Sequence, residues 1–178
     1  MGAVSGGDKI AKVLKQIGDS AKGGLTVGFL SGATYPDGTS VAQVAFWNEY
    51  GHGGNFPAPP RPFFRKMIET ESPGWGARMA KGLKYYNYDG HKVLQAMGED
   101  IKGALQQSIS TLDSPALSPT TLMLRSFYWT NPQDIRARDV LAAQELVAEG
   151  HTGATGTQAK PLIWTGHMLN SVDYEIKE

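Results

Sequence analysis

The sequence predicts an α+β fold: a helix-rich single domain with a small, mostly antiparallel sheet. Three observations carry this. One long segment, 90–112, repeats apolar residues at helical spacing (Leu94, Met97, Ile101, Leu105, Ile109, Leu112). Two short segments near opposite ends of the chain, LTVGF at 25–29 and SVDYEI at 171–176, alternate apolar and polar or small residues with period two. Glycines and prolines fall mostly between the periodic segments rather than inside them.

The elements follow in order. Ile10, Val13, Leu14 and Ile17 predict an amphipathic helix over 8–21, started by Asp8 and stopped at Gly23-Gly24. The strand 25–29 runs into SGATYPDG, a turn composition. Ser40-x-x-Gln43 predicts a capping box for a helix over 40–50 that ends on a left-handed Gly51. Pro57, Pro59, Pro60 and Pro62 make 56–61 extended and stiff, and Pro62 opens a helix to about Thr70. Pro73-Gly74 separates it from a second short helix bearing Met79 and Leu83. After the 90–112 helix, Ser118-Pro119 predicts an N-cap with proline at the first helical position. A further helix is expected over 133–149 with Gly150 behind it, then a flexible loop, TGATGTQAK. Thr165 caps a single turn before the last strand. Pairing 25–29 with 171–176 closes the sheet.

Composition excludes several classes of function. The 178 residues carry 17 Lys+Arg against 17 Asp+Glu, so no net charge draws the chain to nucleic acid or an anionic membrane. With no cysteine, disulfides, thiol catalysis and thiolate zinc sites are absent. The opening MGAVSGGDKI has no apolar core of a secretory leader, and no apolar run approaches the roughly 20 residues of a membrane span. His52, His91, His151 and His167 have no i, i+4 partners, so no local metal motif forms. GHGG at 51–54 resembles an esterase oxyanion loop, but the chain has no G-x-S-x-G elbow to complete it. Walker A and strand-linked G-x-G-x-x-G motifs are missing. Glu99-Asp100, being adjacent, point to different helix faces and do not form a carboxylate pair. No catalytic residue, cofactor or metal is expected.

Two features remain. From Arg61 to Lys84 six cations (Arg61, Arg65, Lys66, Arg78, Lys81, Lys84) face two acids, with Trp75, Tyr85, Tyr86 and Tyr88 within or just after them. Such a stretch fits a solvated helix face, a nucleic-acid surface over 61–88, or a surface meeting acidic neighbours. The segment FPAPPRPFFR is the other. It reads either as a rigid elbow between helices or as a subunit interface, since Phe56, Phe63 and Phe64 among fixed-φ prolines offer contact area at low entropic cost. The candidate interface is Phe56, Pro57, Pro59, Pro60, Arg61, Pro62, Phe63, Phe64 and Arg65, with Trp164 added on the ground given next.

Three ordered blocks, VGFLSGATYPDGTSVAQVAFWNEYG, PAPPRPFFRKMI, and LSPTTLMLR followed by KPLIWTGHMLNSVDYEI, together resemble the tail-completion, head–tail joining (neck) and virion morphogenesis proteins of tailed bacteriophages. They touch most of the chain from about residue 25 to 176. The resemblance implies a non-enzymatic virion protein that forms a ring, generally a hexamer, between the connector or head-completion proteins and the tail, with DNA passing through its lumen. It implies either a tail-completion ring or the adjoining tail-terminator ring, made in the host cytoplasm and carried in the virion, with no membrane partner. The chain departs from the pattern twice. Trp164 stands where the family commonly has an acidic residue, and 127–158 is longer than expected, as an inserted helix and loop.

Overall fold

A computed structural model describes residues 7–20, 23–54 and 57–177. The two alternating segments pair as expected: β1 (Gly24–Phe29) runs antiparallel to β2 (Val172–Lys177). The register sets Leu25 opposite Ile176, Val27 opposite Tyr174 and Phe29 opposite Val172. Every apolar residue of one strand therefore faces an apolar residue of the other, so a one-residue slip would turn both sets away from the core. A two-stranded ribbon alone is marginal in water. Its apolar face lies on α4 (Gly90–Thr111), the expected long helix, whose Val93, Leu94, Met97, Ile101, Leu105 and Ile109 are buried.

The contact between α4 and β2 depends on one glycine. A Cβ on Gly98 would overlap the Tyr174 ring, with Cγ at 2.7 Å. Lys102, one turn on, pairs with Asp173 at 3.0 Å. α1 (Gly7–Ser20) forms close to its expected limits, although the side chains of Ile10 and Ile17 lie outside the described residues.

α2 (Val41–Tyr50) has the expected extent but not the expected start. Ser40 makes no side-chain cap; the Val41 amide instead donates to the Ala33 carbonyl at 3.0 Å, because the turn 34–40 folds back on itself through a Thr34–Ser40 bridge. Gly51 takes a positive φ of 74° but a ψ of 170°, so it sends the chain outward rather than closing a left-handed cap.

The two helices expected on either side of Pro73 are one, α3 (Phe63–Tyr85). Pro73 removes one backbone bond. Phe63 and Met67 before it, and Trp75, Met79 and Leu83 after it, belong to the same core on α4, and this shared packing keeps the helix continuous. Arg78 reaches back across the proline to the Glu71 carboxylate and carbonyl. Its guanidinium lies over Gly74, where a Cβ would sit 3.2 Å from Nη2.

Beyond α4, Ser118 caps α5 (Pro119–Phe127) as expected, its Oγ accepting from the Thr121 amide at 3.1 Å. The helix expected from 133 starts later: a 3₁₀ turn at Pro132–Asp134 precedes α6 (Ala137–Ala148). Asp139 sets that start by accepting from the Arg136 amide at 2.7 Å. α5 and α6 enclose a second, smaller core of Met123, Leu124 and Ala143. The single turn α7 (His167–Asn170) delivers the chain into β2, with the Thr165 hydroxyl accepting from the His167 amide.

Gly98→Ala is expected to destabilise the protein by about 1–3 kcal/mol, because a rigid ring and the β2 backbone must yield. Gly103→Ala, on the same helix with nothing within 4 Å, is expected to stabilise by about 0.5–1 kcal/mol. Paired urea unfolding curves check both.

Candidate assembly interface

The blocks WNEYG and PAPPRPFFR meet each other in the fold. Glu49, 4% exposed in the apolar helix α2, points inward. Its carboxylate accepts from the amides of Phe64 (2.9 Å) and Arg65 (3.2 Å) and from Arg65 Nε (2.7 Å). The N-cap position of α3 is Pro62, which has no side-chain acceptor, so Glu49 closes that helix end from outside and places negative charge where the helix dipole favours it. The Asn48 carbonyl accepts from the Arg61 amide at 2.7 Å. His52 and Ala58 exchange backbone bonds of 3.1 and 2.9 Å, closing the glycine loop. Gly51 is required at this crossing: a Cβ would come within 2.8 Å of the Ala58 carbonyl and 2.9 Å of the Pro60 nitrogen, at a φ that side chains disfavour.

The candidate residues separate accordingly. Pro57, Pro59 and Pro60 are exposed, and Pro62 is half-buried. Arg61 and Phe63 are corrections. Arg61 is 6% exposed, its Nε donating to the Pro115 carbonyl at 3.2 Å, and burial lowers its pKa. Phe63 is 1% exposed and meets Phe29 edge-on in the core. Both are turned into the molecule, Phe63 by apolar packing and Arg61 by its bond to the Pro115 carbonyl. Phe64 is half-buried beneath Gly28, and Arg65 lies exposed over the Tyr50 ring at 4.7 Å. Phe56 lies outside the described residues.

The two segments of the third block join in the same way. Arg125 is 3% exposed and faces no carboxylate among the described residues; four carbonyls surround it. Nη1 donates to Gln158 (2.8 Å), Lys160 (2.7 Å) and Ile163 (2.6 Å), and Nη2 to Pro161 (3.2 Å). Burial, with a smaller effect from the Arg61 charge, lowers its pKa to about 10. The Trp164 ring covers its guanidinium at 4.9 Å and donates Nε1–H to the Tyr128 carbonyl at 3.2 Å. The residue that departs from the resemblance is therefore engaged within its own chain. TGATGTQAK, expected to be flexible, is packed: the Ala154 amide donates to the Leu122 carbonyl at 2.8 Å, and Gly153 lies against the Leu122–Met123 backbone with no room for a Cβ.

The outer side of α2 carries three of the exposed large apolar side chains close together. Val41, Ala45 and Glu49 face inward, so Phe46, Trp47 and Tyr50 face out, 58%, 38% and 53% exposed. The Phe46 and Tyr50 rings lie 4.7 Å apart, and Trp47 stands edge-on to His52. Beside them is an open groove of about 200 Å³ lined by Phe29, Ala45, Phe46, Tyr50 and Phe64. The candidate interface residues read from the sequence lie along the prolines and do not include this face. Its signal was present: AQVAFWNEY is apolar around its circumference, and a helix of that kind needs cover on both sides.

The basic stretch disperses in three dimensions. Arg61 is buried, Arg65 and Arg78 pair with Glu49 and Glu71, and Lys66, Lys81 and Lys84 stay exposed. Trp75 packs against the core, while Tyr85 is 78% exposed. Among the described residues no three His, Asp or Glu side chains converge on a metal position, and no helix is long and apolar enough to cross a membrane. No family model, curated protein or solved structure matches the chain.

Glu49→Ala is expected to cost about 2–3 kcal/mol, from one lost cap and one charged pair, and to loosen the junction of the proline strap (57–62) with α3, read as increased hydrogen exchange at Phe64 and Arg65. Arg125→Lys, which offers at most three donors in place of the guanidinium fork, is expected to unfold at lower urea and to expose the 152–160 loop to protease.

Proposed function

We propose that this chain is a non-enzymatic structural subunit of a tailed-bacteriophage virion, a tail-completion or neck protein that forms a ring joining head connector and tail. The observation that carries the proposal is the outer face of α2: three aromatic side chains exposed together on a helix locked from behind by Glu49 and flanked by a proline strap. An aromatic patch with an arginine stacked on it has the composition of an interface centre. Rigid backing lowers the entropic cost of assembly. The ordered sequence blocks support the same reading, since they pair as two internal clamps that hold a small subunit in one shape. A ring subunit needs that fixed shape because closure depends on a constant angle between neighbours.

The test is the absolute mass of the purified protein by light scattering over a concentration series, combined with gold labelling of particles from producing cells. A mass near six chains, or label at the joint between head and tail, is the expected outcome. A chain that stays monomeric at every concentration and is absent from purified particles overturns the proposal.

A further inference from the structure

We propose that the C-terminal half of α3 is a displaceable segment, hinged at Pro73–Gly76 and held against α4 by a brace between Arg78 and Glu71. The helix is continuous, yet its two halves are anchored unequally. Its two buried residues, Phe63 and Met67, both precede the proline. The same half is fixed at its start by Glu49 and by the Ser108 hydroxyl, which donates to the Phe63 carbonyl at 2.7 Å. After the proline, Trp75, Met79 and Leu83 reach the core only half-buried. The Trp75 indole nitrogen is buried there with no acceptor among the described residues, so the packing of this half carries a cost that the other half does not.

Between the halves stand Pro73, Gly74 and Gly76. Pro73 has no N–H for the Glu69 carbonyl one turn back. Glycine, after proline, is the residue a helix interior holds least well. A Cβ on Gly76 would meet nothing within 4 Å, so no packing requires a glycine there. Arg78 spans this weak turn, donating from Nη2 to the Glu71 carboxylate and, at 3.3 Å, to the Glu71 carbonyl. Both side chains keep contact with solvent, so the brace can open without disturbing the core. A second pivot lies at the far end. Asn87 and Tyr88 take positive φ values of 51° and 64°, which side chains disfavour. α4 keeps its own cap beyond them, the Asp89 carboxylate accepting from the Lys92 amide. When the segment between the pivots moves out, Val93, buried against Gly82, comes to the surface. The closed molecule thus hides apolar surface that a local opening presents.

The experiment is hydrogen exchange on the full chain, followed amide by amide by NMR. Glu71→Gln keeps an acceptor and removes the charge. It is expected to speed exchange of amides 77–85 about five- to tenfold while leaving 66–72 as in wild type. The double variant Pro73→Ala/Gly76→Ala restores the missing donor and stiffens the turn. It is expected to slow exchange of 77–85 by at least about tenfold relative to wild type. If Glu71→Gln speeds both halves equally, α3 opens as one unit and the hinge is wrong. If it speeds neither, Arg78 and Glu71 hold nothing. A double variant whose 77–85 amides exchange as in wild type shows that the weak turn is not at 73–76 and overturns the proposal.

Discussion

Glu49 is a charged residue buried in an apolar helix, and the arrangement of the N-terminal half depends on where its carboxylate points. The α3 N-terminus has unpaired amides and, with Pro62 at its cap, no local side chain to satisfy them. The carboxylate that does so comes from a different helix, fifteen residues earlier. This interaction joins α2 to α3 and, with buried Val41 and Ala45, fixes which side of α2 faces inward. With positions 41, 45 and 49 turned inward, helical geometry turns 46, 47 and 50 outward. The helix thus buries its acid and exposes its aromatics, the reverse of an ordinary surface helix.

Arg125 solves the converse problem in the C-terminal half. The chain from 158 to 163 makes a tight irregular path whose carbonyls would be costly to bury without donors. A guanidinium supplies several donors in one plane, and four carbonyls share it. Trp164 closes its face, so the charge is held by dipoles and a ring rather than by a carboxylate. The second small core of α5 and α6 is tied through this residue and through Arg61 on Pro115 to the rest of the molecule.

Both devices reduce freedom without using much apolar area. The main core lies on α4 and a smaller one between α5 and α6, and charge-assisted bonds to backbone add ties where α2 meets α3 and around Arg125. That leaves large apolar side chains for the surface. The α2 face exists because the interior contacts of α2 are made by Val41, Ala45 and a carboxylate, none of which needs the rings.

The sequence by itself determined the elements whose signal is local: the α4 stripe and both strands by their periodicity, the latter's apolar positions also dictating their register, and the α2 limits and the Ser118 cap by the residues that flank them. It did not disclose that α3 crosses Pro73, since local propensity sees the missing amide and not the α4 surface shared by both halves. A glycine- and threonine-rich loop read as flexible because composition does not register the Leu122 backbone beneath Gly153. Arg61 and Phe63 looked like interface residues by type, yet their partners Pro115 and Phe29 are 54 and 34 positions distant. Glu49 and Arg125 were visible only as lone charges in apolar segments. Which acceptors or donors they meet is a matter of long-range geometry, and the tertiary structure alone decided it, because a buried charge takes its role from partners that local periodicity does not specify.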